Sequence, residues 1–371
     1  MLDCATFSEL NFSEWGADLQ VKLQGRRYPL SGMFELTERC NLSCVHCYIN
    51  QSANSQAARA RELTTDQAKY VLDQISDAGC LFLILSGGEV LLRQDFPEIY
   101  LHAKQRGLLV GIFTNGTMIT PQLADMFVEY RPHWIDITLY GATRETYEKV
   151  TGVPGSYDRC LRGIELLQER NLPVYLKSAV LTVNYHELPE MRAFSLDHGI
   201  QFRYDGVLWP RLDGSPEPLK YQLSPQELLA IEDVEPKRLQ EWKRMADTFS
   251  GYLDRAEYVY NCGAALQSFN VDCSGRLSAC NMSRKPSYSL LEMSFAEGWE
   301  KLGELRKMKR KLVTKCQSCR LGGLCSQCPG WSQAVHGDDE TPVDFICELA
   351  HLHLNQVEQM LEPVTDGAII D

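Results

Sequence analysis

No apolar run of about 18 residues occurs in this chain, so the sequence offers no candidate transmembrane helix. The opening Met1-Leu-Asp-Cys4-Ala-Thr-Phe lacks the basic start and apolar stretch of a secretory signal, which predicts a cytoplasmic protein with no membrane partner. Basic charge is scarce: 37 Lys and Arg face 49 Asp and Glu, a net charge of −12. A nucleic-acid partner would want a basic face, so the charge argues against that class. There is no internal repeat and no low-complexity segment. What the chain has in excess is cysteine, 14 in 371 residues. In a reducing compartment that number argues for metal or catalysis rather than disulfides. The apolar content of 44% is enough for one large core and a smaller domain.

Strand-like apolar runs alternate with amphipathic stretches, the pattern of βα units around a parallel sheet. The predicted strands are Gly32–Leu36, Leu81–Leu85, Leu109–Thr114, Trp134–Leu139, Val174–Val180 and Gln201–Leu208. The predicted helices include Thr64–Ala78, with Thr64 as cap and Ala68, Val71, Leu72 and Ile75 on one face, then Gln122–Tyr130 and Tyr157–Arg170. Six such units make an incomplete barrel rather than a closed eight-fold one. Residues 1–30 read as an extension with an edge strand near Leu19–Leu23, too short for a separate recognition domain. Residues 31–215 form the barrel. Residues 216–256 form a bridge, its charged helical stretch running Ser224–Leu253. Residues 257–371 form a cysteine-dense region with a hairpin at Gln267–Val271 and Arg276–Ala279 and a terminal helix at Ile346–Leu361.

Directly after the first strand comes Cys40-Asn-Leu-Ser-Cys44-Val-His46-Cys47-Tyr48. Three clustered thiolates suit a [4Fe–4S] cubane with one iron left free, where a structural zinc would want four ligands. Ser86-Gly87-Gly88-Glu89 follows the second strand and Thr114-Asn115-Gly116 the third. Taken alone, both are turns. In βα barrels, ligands bind at the carboxyl ends of the strands, where all three motifs fall.

Together they resemble the radical S-adenosylmethionine (SAM) enzymes. The resemblance covers roughly residues 30–215 and implies an α/β fold, a partial (β/α)6 TIM-like barrel. It implies that Cys40, Cys44 and Cys47 hold a cluster whose free iron is chelated by SAM. It also implies a SAM seat at Tyr48, Gly87, Gly88, Glu89, Thr114, Asn115, Thr138 and Ser178, with Glu89 orienting the SAM amino group. Tyr140 stands where many relatives carry Asp. Lys177 and Ser178 end the fifth strand, where the resemblance puts the SAM carboxylate or ribose, though a lysine there more often reads as a solvated strand end.

Downstream the chain reads Cys262-x12-Gly275-x4-Cys280, then Cys316-x2-Cys319-x5-Cys325-x2-Cys328, then Cys347. This is similar to the SPASM domain, a C-terminal cysteine-rich extension of radical SAM enzymes that holds two auxiliary [4Fe–4S] clusters. The Cys325–Cys328 interval is one residue shorter than the family's. Taken alone, the second run is also a plausible zinc knot. The resemblance implies one auxiliary cluster at Cys262, Cys280 and Cys328, and another at Cys316, Cys319, Cys325 and Cys347. Cys273 lies in the predicted hairpin turn. At about 3.3 Å per strand residue it is too far from the hairpin base to be a fourth ligand. Cys4, Cys80 and Cys160 read as ordinary thiols.

The implied activity is reductive cleavage of SAM followed by hydrogen abstraction from an unreactive C–H bond. SPASM relatives mostly act on ribosomally made peptides or proteins, installing crosslinks, thioethers or oxidations. A flavodoxin- or ferredoxin-type electron donor and a separate small peptide-recognition protein are the expected partners. Sulfatase-maturing relatives carry an Asp after the cysteine matched by Cys280, and Asn281 there argues against that subgroup. Small-molecule cofactor biosynthesis is the alternative in the same chemistry. A non-catalytic electron-transfer or metal-binding protein is the alternative outside it.

Overall fold

The computed structural model describes residues 25–49, 51–233, 257–319 and 325–361, with Leu19, Lys22, Leu23, Gln240 and Leu321. Six parallel strands form the barrel wall: β1 (Ser31–Thr37), β2 (Phe82–Gly87), β3 (Leu109–Thr114), β4 (Trp134–Thr138), β5 (Val174–Ala179) and β6 (Gln201–Asp205). Three further strands extend the same sheet beyond β1: β7 (Ser268–Val271), β8 (Arg276–Ser278) and β9 (Tyr288–Ser289). The spatial order is β9-β8-β7-β1-β2-β3-β4-β5-β6, with β7 parallel to β1 and antiparallel to β8. The predicted hairpin is therefore present, but it is also the continuation of the barrel wall. Ser31 pairs with Ser268 and Phe34 with Val271, a junction no local pattern announces.

Helices cover one face of the sheet: α1 (Thr65–Asp77), α2 (Phe96–Gln105), α3 (Pro121–Glu129), α4 (Arg144–Thr151), α5 (Ser156–Gln168) and α6 (Leu188–Asp197). α1 begins at the expected cap: the Thr64 hydroxyl accepts from Gln67 N–H, and Gln67 reaches back to Thr64 N–H. Its apolar stripe, Ala68, Val71, Leu72 and Ile75, is wholly buried in the main core. α7 (Pro225–Asp233) starts the bridge, and α8 (Phe295–Leu302), α9 (Pro329–His336) and α10 (Asp344–Leu361) belong to the C-terminal region. α10 meets α7 through the buried pair His353 Nε2–Glu232 Oε2 at 2.6 Å.

Most predicted boundaries shift by a residue or two, and three of the differences are instructive. The last strand ends at Asp205 rather than Leu208, because the Asp205 side chain accepts from Val207 N–H at 2.9 Å and turns the chain. Leu19–Leu23 is not an edge strand: Leu19 and Lys22 are helical, and Leu23 N–H bonds Leu19 C=O at 3.0 Å. The terminal helix starts at Asp344, two residues early. Of the bridge helix, residues 234–253 other than Gln240 fall outside the described residues, as does Cys4. Among the described residues, no helix is long and apolar enough to cross a membrane.

Candidate active site at the barrel mouth

Strand alternation sends every second side chain into the barrel interior. On β5 that parity buries Val174, Leu176 and Ser178 on the helix side and turns Tyr175 and Lys177 inward. The register aligns Glu35 on β1, Ser86 on β2, Phe113 on β3, Asp136 and Thr138 on β4, Lys177 on β5 and Arg203 on β6 along the inner face. That layer, near the carboxyl ends of the strands, is thus largely polar, with Met33, Ile84 and Trp134 on the same face one layer below and apolar side chains on the helix side.

The cysteine loop sits at the end of β1 and is held on three sides. From below, Arg93 Nη1 and Nη2 bond Leu36 C=O at 3.1 Å and Leu63 C=O at 3.0 Å. Beside it, Arg39 pairs with Glu62 through Nε at 2.6 Å and Nη2 at 3.0 Å, with both side chains 9% exposed. From above, Ser43 N–H and Val45 N–H bond the last carbonyls of α4, at Thr151 and Val150. Cys40 Sγ accepts from Leu42 N–H at 3.4 Å, and the Asn115 amide approaches it at 3.7 Å. The same amide bonds Asn41 Oδ1 at 2.9 Å, tying the β1 loop to the end of β3.

The Gly-Gly-Glu segment is welded to this loop. Gly88 N–H bonds Thr37 C=O at 2.7 Å and Glu89 N–H bonds Arg39 C=O at 2.8 Å. A methyl on Gly88 would lie 2.3 Å from Arg39 O, so the segment has no room for a side chain. Glu89 is fully buried and accepts from Thr114 Oγ1 at 2.7 Å, Asn115 N–H at 2.7 Å and Leu91 N–H at 3.1 Å. Burial raises its carboxyl, and these three donors oppose the rise. Glu89 therefore positions Thr114 and Asn115 directly, a role its motif does not announce.

Burial also sets the thiols. Cys40 is pushed up to about 12 and Cys44 well above its ordinary value, each further raised by neighbouring acids or thiols. Thiolates crowded into a dry loop need a cation for their charge, and a ferrous–ferric cage supplies one. Among the described residues, no three His, Cys, Asp or Glu side chains converge tightly enough for a single metal ion. The donor set fits the cubane the motif implies. His46 is neutral at pH 7, its ring lowered to about 4 by burial, and packs edge-on against Tyr140 at 4.9 Å. Tyr140 also lies beside the Cys44 thiol, so the residue replacing the relatives' Asp is part of the cysteine loop's packing.

Lys177 is not a solvated strand end. Its Nζ lies 3.0 Å from the Phe113 ring centroid, and burial lowers it to about 7, with Asp136 opposing and Arg203 reinforcing. Ser178, by contrast, is buried on the helix side and bonds Ala179 C=O at 3.2 Å, away from the other candidate contacts. Sequence reasoning also missed Glu35. It is 1% exposed, and its Oε1 accepts from Arg284 Nη2 at 2.8 Å and from the Tyr48 hydroxyl at 3.4 Å. A charged residue at an inward strand position was the available signal.

The downstream cysteines fall into two neighbourhoods. Cys328 is within electrostatic reach of Cys280 and Cys262, and Cys280 of Cys262. Cys325 is within reach of Cys347, Cys316 and Cys319. Cys325 and Cys328 pack on the buried Trp331, Val343 and Ile346, which tie α9 to α10. Cys273 belongs to neither group. It is buried among Glu38, Asp272, Glu35 and Arg61, and its carbonyl accepts from Leu63 N–H at 2.8 Å. Cys273→Ala is expected to leave the iron content of the purified protein unchanged, and loss of about four irons per chain would make it a ligand. Cys80 and Cys160 are in the barrel core.

A partial parallel barrel with three thiols, a Gly-Gly-Glu segment and Thr114-Asn115 at one mouth is the arrangement that the sequence motifs predict for holding a cluster and SAM. Residues 34–194, a little under half of the chain, match the Radical SAM superfamily. It is 27% identical over 325 residues to the AdoMet-dependent heme synthase of Methanosarcina barkeri, covering 82% of this chain and 92% of that protein. It is 32% identical to the mycofactocin maturase MftC of Mycolicibacterium smegmatis, over 48% of this chain and 45% of that one. The chain spans less than half the length of several other curated relatives it matches. Streptococcus suis SuiB bound to precursor peptide SuiA shares the fold with a TM-score of 0.66 at 14% identity, over 92% of this chain and 84% of that one.

Proposed function

We propose that this chain uses SAM and a [4Fe–4S] cluster to abstract hydrogen from a ribosomally made peptide or protein and so install a crosslink, thioether or oxidation. The observation that carries the reading is the set of hydrogen bonds at the barrel mouth that joins Thr37 and Arg39, leading into the cysteine loop, to Gly88 and Glu89, and joins Cys40 and Asn41 within it to Asn115. Cys40, Cys44 and Cys47 would hold the cluster. Tyr48, Gly87, Gly88, Thr114, Asn115 and Thr138 would frame SAM, with Glu89 acting through Thr114 and Asn115. Bound together, the cluster and SAM supply a 5′-deoxyadenosyl radical by one-electron reduction. The chain's part is to hold the loop rigid, exclude water and present the C–H bond from the polar interior.

Two auxiliary clusters, at Cys262, Cys280 and Cys328 and at Cys316, Cys319, Cys325 and Cys347, complete the proposal, within a C-terminal region of residues 257–371. The peptide reading draws support from the mycofactocin maturase and from SuiB, whose partner in the complex is a precursor peptide. The likeness to the heme synthase, which spans 92% of that protein, supports a second reading, a tetrapyrrole-type small-molecule substrate. The protein, reconstituted anaerobically and given SAM and dithionite, is expected to form 5′-deoxyadenosine and methionine. The Cys40→Ala/Cys44→Ala/Cys47→Ala variant is expected to form none and to carry about four fewer irons per chain. Absence of 5′-deoxyadenosine from the reconstituted wild type would end the enzymatic reading.

A further inference from the structure

Cys280 is followed by a tight turn, Asn281-Met282-Ser283-Arg284, that folds back on its own thiol. Ser283 N–H donates to Cys280 Sγ at 3.1 Å. Arg284 Nε donates to Asn281 C=O at 2.7 Å, closing the turn with its guanidinium. The other edge of that guanidinium reaches across 249 positions of sequence to Glu35 in the barrel interior, Nη2 to Oε1 at 2.8 Å. Glu35 is 1% exposed and the Arg284 side chain 21%. Tyr48, the residue after Cys47, donates to the same Glu35 oxygen at 3.4 Å, and Asn281 lies beside Tyr48. One buried ion pair thus touches the turn around Cys280 on one side and the residue beside Cys47 on the other. Asp272 lies further out and the Asn270 amide beside Glu35.

Such a pair is costly to bury, because two charges leave water, and it is weak evidence for stability. Its placement suits another task. Reduction of an iron–sulfur cluster adds a negative charge, and nearby net charge and hydrogen bonds to the sulfurs set its potential. In a dry interior a fixed cation a few ångströms away favours the reduced state, and a fixed anion opposes it.

We propose that Arg284, with its charge balanced by Glu35, sets the reduction potential of the centre held by Cys280 and links it electrostatically to the barrel interior. The inference rests on Cys262, Cys280 and Cys328 being cluster ligands. Arg284 is the nearer charge to Cys280, being part of the turn, and Glu35 is the farther counter-charge. Removing each therefore has opposite consequences. Glu35→Gln leaves the cation unbalanced and moves the midpoint positive. Arg284→Gln removes the cation and moves it negative. Arg284→Lys keeps the charge while losing the planar fork, and stays near the wild-type value.

The test is a dithionite titration of the full-length, cluster-loaded protein followed by electron paramagnetic resonance. The relevant signal is the one missing from Cys280→Ala. Each charge-removing variant is expected to change the reduction equilibrium about tenfold, which is about 59 mV for a one-electron couple. Shifts of the same sign in Glu35→Gln and Arg284→Gln would mean general disturbance of the fold and overturn the proposal, as would unmoved midpoints at full iron content. If wild type and Cys280→Ala hold equal iron and identical signals, the ligand assignment fails and the proposal falls with it.

Discussion

Glu62→Ala is expected to destabilise the protein by about 3–5 kcal/mol, the cost of breaking a buried ion pair from one side. Arg39 immediately precedes the first cysteine of the loop, and its guanidinium spends two of its five donors on the Glu62 carboxylate. Nη1 reaches Ala53 C=O at 3.1 Å. The Thr37 hydroxyl bonds the same carboxylate, and Arg39 N–H bonds Thr37 Oγ1 at 3.0 Å, so the turn leading into Cys40 closes on Glu62. Without the carboxylate, a charge that cannot deprotonate remains in a site 9% exposed. Glu62→Gln keeps the shape and one acceptor and is expected to lose less. The double replacement Arg39→Met/Glu62→Met removes both charges and is expected to recover most of the stability, because apolar groups of similar volume replace buried pairs at little cost. Denaturant unfolding of the three variants checks the order. Equal losses in the single and double variants would show that the pair contributes through its packing alone.

The barrel was legible because each strand carries its own signal. Leu109–Thr114 matches the observed strand residue for residue, and the helix between the first two strands begins on the Thr64 cap the sequence offers. The cysteine loop and the two strand-end turns were legible for a different reason: thiolates at short spacing and glycines before a carboxylate answer to local chemistry. Non-local partners were not legible. Nothing in Ser268–Val271 states that its neighbour is β1 rather than a sheet of its own, because backbone pairing carries no sequence code. In the sequence Lys177 and Ser178 both read as strand-end residues beside SAM, the lysine more readily as a solvated end, whereas the strand turns Lys177 inward and buries Ser178 on the helix side. Val174-Tyr-Leu-Lys-Ser-Ala alternates clearly, but alternation does not say which parity faces the helices. That is decided by neighbouring strands, where Asp136 and Arg203 share the Lys177 side. Arg284 was invisible for the same reason, its carboxylate partner lying in the first strand.

Gly87→Ala is expected to abolish SAM-dependent 5′-deoxyadenosine formation and to cost several kcal/mol of stability. Two independent penalties meet at this residue. Its φ of +139° lies where L side chains are rarely found, a strain of about 1–3 kcal/mol. The added methyl would also stand 2.1 Å from Thr37 O and 3.1 Å from Thr37 N. Both are backbone atoms of the strand that carries the cysteine loop, so no side chain can swing aside. The chain must open the β1–β2 contact, and with it the Gly88–Thr37 and Glu89–Arg39 hydrogen bonds that hold the loop. Gly107→Ala separates the two penalties. Its φ is +81°, yet its methyl would meet nothing within 4 Å. It is expected to show the conformational cost alone, with iron content and 5′-deoxyadenosine formation unchanged. If both variants lose only stability and keep the activity, the close approach of Gly87 to Thr37 does not govern the site. If Gly87→Ala alone loses activity while retaining its iron, the glycine is required for the space that SAM occupies rather than for the cysteines, and Gly88→Ala, at ordinary φ with 2.3 Å to Arg39 O, is expected to follow it.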